Sequence, residues 1–173
     1  YILMALETGR VDIVSDILEY AIKYPNDELF EDKCRNIIES LIIKNQAEEL
    51  NYFIYLVDAK EQIEPISSFI NDKGLMHLAA RNDTPDCIEV LKHRGGIINA
   101  KDEDGYTPAQ RASLECLKYL KLEGANLKVK DNAGDTLLHK VVVTYRNTDY
   151  IKLLTKEGRD YINETNNSQE TAL

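Results

Sequence analysis

The side chains that could do chemistry in this sequence are its histidines and cysteines. Cys87 or Cys116 could act as a nucleophile with His77 or His139 as the general base. Such a pair needs direct contact and a third group that orients the base, and no spacing in the sequence indicates either. Zinc sites use tightly spaced Cys and His, whereas Cys87 and His93 are six residues apart. The sequence therefore predicts no catalytic residue, no metal site and no bound cofactor.

Two stretches of the chain share one turn pattern. KDEDGYTPAQRA begins at Lys101 and KDNAGDTLLHKV begins at Lys130, with Asp, Gly, Thr and a following apolar residue at the same offsets. Asp, Asn and Gly in this order favour a tight turn. Because the pattern returns, it indicates a repeated structural part and not a single active-site loop.

The repeat has an irregular period. Gly74, Thr107, Thr136 and Thr171 occupy the same place in the pattern, at intervals of 33, 29 and 35 residues. Thr107 and Thr136 are each suited to cap a short helix, and a longer apolar-periodic stretch follows each of them. One unit is thus a turn, a short helix, a loop and a longer helix. Neither helix can bury its apolar face alone, so neighbouring units are expected to stack.

Glycines end the longer helices of these units. Gly95, Gly124 and Gly158 close the stretches CIEVLKHRG, CLKYLKLEG and YIKLLTKEG. Glycine adopts the left-handed conformation that ends many helices, and Thr84 before Pro85 can begin the first of the three. Each stretch therefore predicts one helix.

The unit resembles the ankyrin repeat, which has about 33 residues and a Thr-Pro-Leu-His-x-Ala pattern. Gln110 stands where the family usually has histidine, and Thr136 lacks the following proline. The resemblance implies an all-α solenoid of helix-turn-helix units joined by β-turn or hairpin loops, structural histidines, and recognition of a protein partner. The positions that carry it are His77, Ala79, Ala80, residues 99–102, Thr107, Pro108, Thr136 and His139.

The first part of the chain matches this pattern less closely. We interpret residues 1–70 as two degenerate ankyrin-like helical units, one turning at Gly9 and the other at Asn45-Gln46, and residues 71–173 as three repeats plus the start of a further one. The alternative for residues 1–70 is a separate helical cap, or a piece of another domain, that ends near Glu64-Pro65.

Composition restricts the classes of partner. The 173 residues are 43% hydrophobic and 29% charged, with a net charge of -9, which would repel nucleic acid and anionic membranes and suits a partner with a basic surface. No apolar run approaches the roughly 20 residues that span a bilayer. Three unclustered cysteines suit a reducing compartment, so a cytoplasmic location is expected. The chain starts without methionine and stops inside the pattern, which is typical of a piece of a longer protein.

The expected partner-binding residues lie on turn tips and at the ends of the short helices. A row of turn acids could attract a basic partner, although turns favour Asp and the chain is acidic throughout. The resemblance implies that Tyr106 and Tyr145 face ligands. The 29-residue interval lacks about one helical turn, or 3.6 residues, which predicts a notch in the concave face unless the deletion is drift. The predicted set is Lys73, Arg81, Asn82, Glu103, Asp104, Tyr106, Asn132, Asp135, Thr144 and Tyr145.

Protein recognition without chemistry is the function that these patterns favour. Two alternatives stay open. The chain could be the targeting arm of a larger enzyme whose catalytic domain lies outside these residues. It could also belong to an effector of an intracellular bacterium that acts in the host cytoplasm, as its richness in Ile, Lys, Asn and Tyr and the frequency of ankyrin modules in such proteins suggest.

Overall fold

The computed structural model describes Met4 and residues 28–58, 69–71, 74–145, 148–156 and 159–172. In this part the chain is mainly helical, as predicted, and its only β-contact is an isolated bridge between Thr165 and Thr171. The helices are α1 (Glu28–Ile43), α2 (Ala47–Asp58), α3 (Leu75–Arg81), α4 (Pro85–His93), α5 (Pro108–Arg111), α6 (Leu114–Leu122), α7 (Leu137–Lys140), a π-helix (Val141–Tyr145), α8 (Thr148–Thr155) and α9 (Arg159–Ile162).

The chain divides into two compact units. The first consists of Tyr1–Ala79 and Asp86–Gly96, and the second of Ala80–Pro85 and Ile97–Leu173. The predicted turn at Gly9 and the boundary near Glu64-Pro65 lie outside the described residues. The number of repeats and the helical-cap alternative therefore stay predictions.

In the first unit, α1 packs against α2 across a short reversal. Asn45 has a φ of 54°, and the backbone N–H groups of Asn45 and Gln46 donate to the carbonyls of Ile42 and Leu41. A left-handed residue with such bonds is a common way to end a helix. The predicted hinge at Asn45-Gln46 is confirmed.

The glycines after the longer helices have the predicted backbone conformation where the structure describes them. Gly95 has a φ of 92° after α4, and Gly124 has a φ of 86° after α6. In both places the next residue donates its backbone N–H to a carbonyl of the last helical turn, Gly96 to Leu91 and Ala125 to Leu120. Gly158 lies outside the described residues.

The helical-repeat pattern predicts a core that contains Ile13, Ile17, Ile38, Leu41, Phe53, Leu78, Ile88, Leu91, Leu117, Leu120, Leu138, Ile151 and Leu154. Most of those that the structure describes are buried. Those confirmed are Ile38, Leu41, Phe53, Ile88, Leu91, Leu117, Leu120, Leu138 and Leu154. Leu78 and Ile151 are only half-buried, so their predicted places in the core are wrong. In α3 the buried face is formed by Leu75, Met76, Ala79 and Ala80, which leaves Leu78 at its edge. The predicted core residues Ile13 and Ile17 lie outside the described part.

The shortened repeat is closed by contacts from other segments of the second unit. The 29-residue interval also predicts that residues 112–114 join the two helices almost directly. Only Ala112 and Ser113 separate α5 from α6, which confirms this prediction. The backbone N–H of Ser113 donates to the Ala80 carbonyl at 3.2 Å, and the Ser113 hydroxyl caps α6 by accepting from the Cys116 N–H. The buried Tyr150 hydroxyl donates to the Ala112 carbonyl at 3.2 Å. The connection is thus held at both of its residues.

Candidate functional site

Three turns of the second unit, 101–107, 130–136 and 165–171, have the same hydrogen bonds, and we call them the turn ladder. In each turn one side-chain Oδ1 accepts from two backbone N–H groups, two and four residues later. The acceptors are Asp102, Asp131 and Asn166. The backbone N–H of the same residue also donates across the turn, to Tyr106, Asp135 and Glu170 respectively. The turn tips are therefore fixed by their own side chains.

Asparagines join one turn to the next. The Asn132 backbone N–H donates to the Asp104 carbonyl at 3.2 Å, and its side-chain Nδ2 donates to the Glu103 carbonyl at 3.0 Å. Asn167 repeats both bonds on the carbonyls of Ala133 and Asn132, at 3.1 Å each. Every turn after the first is thus attached by one asparagine.

Lysines add a second row of bonds along the turn ladder. Lys101 Nζ donates to the Lys130 carbonyl at 2.8 Å, and Lys130 Nζ donates to the Thr165 carbonyl at 2.7 Å. Lys130 also lies 2.7 Å from Glu164 Oε2, and this hydrogen bond lowers the pKa of Glu164. Both lysines therefore donate a hydrogen bond to a backbone carbonyl of the following turn.

Tyr106 lies between two cations in the turn ladder. The Arg111 guanidinium is 4.0 Å from the centre of its ring, and Lys140 Nζ is 5.2 Å from it. Such contacts are attractive because the face of an aromatic ring is electronegative. The half-buried Tyr106 therefore contacts both cations, and its role in binding a partner stays a prediction.

The same two cations pair with the turn acids. Arg111 contacts Asp102 and Asp104, at 2.9 and 2.8 Å. Lys140 contacts Asp131 at 3.1 Å and Asp135 at 2.9 Å. Both acidic partners of Lys140 are at least partly buried. Burial opposes ionisation of Asp135, but the bonds from Lys140 and Asn166 lower its pKa. The Asp131 side chain is only 2% exposed.

The predicted row of acids is therefore largely an internal structure. The carboxylates of Asp102 and Asp131 accept from backbone N–H groups and pair with a cation. The Asp135 carboxylate pairs with Lys140 and accepts from the Asn166 side chain. Glu103 and Asp104 are the members of the row that are exposed at a tip. The preference of turns for Asp accounts for Asp102 and Asp131, and attraction of a basic partner by this row stays a prediction.

The predicted partner-binding residues fall into three groups. Glu103, Asp104, Tyr106, Asn132 and Asp135 come together in the turn ladder. Arg81 and Asn82 are exposed at and just after the end of α3. Lys73 and the side chains of Thr144 and Tyr145 lie outside the described residues. The notch that Arg81, Asn82, Thr144 and Tyr145 were expected to border therefore stays a prediction.

Sequence reasoning missed several residues that build the turn ladder. Asn166 and Asn167 stand 35 residues after Asp131 and Asn132, so extending the alignment of the turns by one repeat would have identified them. Arg111 and Lys140 each stand nine residues after the turn aspartate, Asp102 or Asp131, so the same alignment would have identified these pairs. Only the contact of Lys140 with Tyr106 requires consecutive repeats to stack.

The histidines and cysteines considered for chemistry are mostly buried where the structure describes them. His139 is buried and bonds to the turn backbone, as the resemblance implied, while His77 is half-buried. Cys34, Cys87 and Cys116 are free and buried, and burial raises the pKa of Cys116 to about 11. Over the same described part, His, Cys, Asp and Glu form no group of three or more that could hold a metal ion. Nor does any helix described there have the length and apolarity to cross a membrane.

Comparison with known proteins supports an ankyrin-repeat relationship. No family model matches the chain. A fowlpox virus (strain NVSL) protein, described by its name as an ankyrin repeat protein, is 25% identical over 122 residues, which is 68% of this chain. The chain spans about a third of that relative, 36% of its length. The similarity agrees with the helical repeats and is in keeping with a protein-interaction module.

Proposed function

We propose that this chain is a protein-recognition module whose helix pairs stack as an ankyrin-type solenoid. The observation that carries the proposal is the turn ladder, in which one set of hydrogen bonds recurs at intervals of 29 and 35 residues. Such repetition builds an extended surface from equivalent parts, and repeat proteins use surfaces of this kind for binding. The similarity to the viral ankyrin repeat protein supports the same conclusion.

The tips of the turn ladder are the proposed contact surface. Glu103, Asp104, Asn132 and Ala133 are exposed there, while the backbone beneath them is held by Asp102 and Asp131. A rigid tip loses little conformational freedom on binding, which favours affinity. The Glu103 carboxylate suits a basic patch on the partner, whereas that of Asp104 is already paired with Arg111.

A partner-capture experiment with two charge-matched variants tests the proposal. Glu103→Lys reverses the charge at the first tip, and Glu115→Lys makes the same change on α6, at an exposed residue away from the tips. We expect a protein captured by the wild-type chain and by Glu115→Lys to bind Glu103→Lys about tenfold more weakly, or 1.4 kcal/mol. Equal binding by both variants, measured by titration of that protein, would contradict this surface.

Three other expectations stay predictions. They are the cytoplasmic location, the role as an effector, and the role as the targeting arm of an enzyme. The last is tested by the sequence of any longer chain that contains these residues, since it requires a second domain with a nucleophile or a metal motif.

A further inference from the structure

We propose that Gln169 closes the turn ladder, so that turn 165–171 accepts no further turn of the same kind from this chain or from a second copy. This inference concerns how the surface is bounded and does not depend on the proposed partner binding. The closure depends on one position in each turn, the residue against which the asparagine of the following turn packs.

That position is glycine in the two turns that receive a neighbour. Gly105 has a φ of 81° and Gly134 a φ of 80°. A Cβ at Gly105 would lie 2.9 Å from the Asn132 backbone nitrogen, and one at Gly134 would lie 2.7 Å from that of Asn167. Both distances are below those that Cβ atoms adopt, and the opposing atom is backbone, which cannot rotate away. A side chain at this position is therefore incompatible with the bonded neighbour.

The third turn has glutamine at this position. Gln169 is 35 residues after Gly134, has a φ of 63° and is exposed. Its turn keeps the other features of a receiver, because the carbonyls of Asn167 and Ser168 correspond to those that accept from asparagine in the earlier turns. Within the described part of the chain, neither carbonyl accepts a hydrogen bond. The acceptors are present, and the Cβ of Gln169 stands in the way.

The turn at the other end of the turn ladder disfavours a second copy. Stacking turn 101–107 of another molecule onto turn 165–171 would place Glu103 where Asn132 and Asn167 stand. A carboxylate has no N–H group to donate to the open carbonyl of Asn167. For an end-to-end contact between two molecules, turn 165–171 thus lacks the required glycine and turn 101–107 lacks the required asparagine. The carbonyls of Asn167 and Ser168 are left for a partner that does not pack against residue 169.

Three single variants of the full chain test the role of this position by hydrogen exchange. Gly134→Ala adds the obstructing Cβ, Gln169→Gly removes it from the last turn, and Gly124→Ala is the matched control. Gly124 has a similar φ of 86°, but nothing lies within 4 Å of a Cβ there. We expect exchange of the Asn167 backbone N–H to become at least about tenfold faster in Gly134→Ala alone. An unchanged rate in Gly134→Ala, or an equal increase in Gly124→Ala, would overturn the proposal.

An extended chain tests the closure itself. A second copy of residues 137–171 is inserted directly after Thr171, which offers a fourth turn to the third. With Gln169 in place, or with Gln169→Ala, we expect the backbone N–H of the copied asparagine to exchange freely. With Gln169→Gly it should become protected to a degree similar to Asn167. Equal protection of the copied asparagine in all three extended chains would overturn the proposal, and so would free exchange in the glycine variant.

Discussion

Gln110 and His139 make equivalent hydrogen bonds one repeat apart. Gln110 Oε1 accepts from the Thr107 backbone N–H at 2.9 Å, and His139 Nδ1 accepts from that of Thr136 at 3.2 Å. Their other ends donate to equivalent carbonyls of the next turn, Gln110 to Asp135 at 3.4 Å and His139 to Glu170 at 3.1 Å. A backbone N–H can only donate, so Nδ1 of His139 takes the place of the Gln110 amide oxygen in this bond.

This equivalence predicts that glutamine can replace His139. His139→Gln should keep both bonds and change the free energy of unfolding by less than about 1 kcal/mol, whereas His139→Leu leaves the buried Thr136 N–H without its acceptor and should cost about 1 to 3 kcal/mol. Urea denaturation of the two variants measures the difference. An equal loss in both would show that the ring, and not its hydrogen bonds, is what the site requires.

The sequence predicted the helices and turns because their signals are local. Capping threonines, glycines after helices and the Asp-Gly pattern each act over a few residues, so the reversal at Asn45 and the ends of α4 and α6 were found. The use of Gln110 in place of histidine appeared only as a departure from a pattern. The role of Gln110 could not be predicted from this departure, because it depends on the position of the next turn.

The properties of the candidate site were harder to predict for a physical reason. Whether Tyr106 faces a ligand depends on Arg111 and on Lys140, which is 34 residues away. The stacking register of the repeats decides that contact, and an interval that varies from 29 to 35 residues does not determine the register. A row of acids also looks the same in sequence whether its charges are neutralised or free.

Tyr150→Phe should destabilise the second unit. The change removes only the hydroxyl that donates to the Ala112 carbonyl, so the expected cost is about 0.5 to 1.5 kcal/mol, the usual net value of one hydrogen bond. Tyr55→Phe is the control, since Tyr55 is 56% exposed in the first unit. Thermal unfolding of the two variants makes the comparison. Equal midpoints would mean that the Tyr150 hydroxyl does not hold the shortened connection.

Acid should weaken the ion pair between Lys140 and Asp135. Folding lowers the pKa of Asp135, so its ionised carboxylate contributes to the free energy of unfolding. This contribution is fully present above the ordinary aspartate pKa of about 4 and is lost as the pH falls through the lowered pKa. Lys140→Met removes the partner of Asp135, so this variant should be less stable than the wild type near neutral pH, and the difference should narrow in acid. Unfolding free energies measured from about pH 6 to pH 2 test this.

A second lysine variant serves as the control for that experiment. Lys152→Met breaks an exposed pair with Asp149, whose side chains are largely in solvent. Exposed pairs contribute little, so this variant should follow the wild-type curve. A constant gap between Lys140→Met and the wild type across the whole range would contradict the role given to Asp135.

The buried thiols should resist modification until the chain unfolds. Cys34, Cys87 and Cys116 are all buried, and a pKa of about 11 leaves little Cys116 thiolate at pH 8. We expect a thiol reagent at pH 8 to label all three within minutes in denaturant and to label the native chain only as fast as it opens. Rapid labelling of Cys116 in the native chain, located by peptide mass, would show that its site is accessible.

Two leucines of α6 separate the energetic role of the core from that of the surface. Leu120 is fully buried and Leu122, two residues later, is 85% exposed. Leu120→Ala creates a cavity and should cost about 2 to 5 kcal/mol, whereas Leu122→Ala removes side-chain atoms that are already in water and should cost less than about 0.5 kcal/mol. Both variants make the same Leu-to-Ala change in one helix, and the propensity difference between Leu and Ala is small, so the difference between the variants mainly measures burial. Urea denaturation gives both values, and similar losses would contradict the assignment of Leu120 to the core on which the stacking of this unit depends.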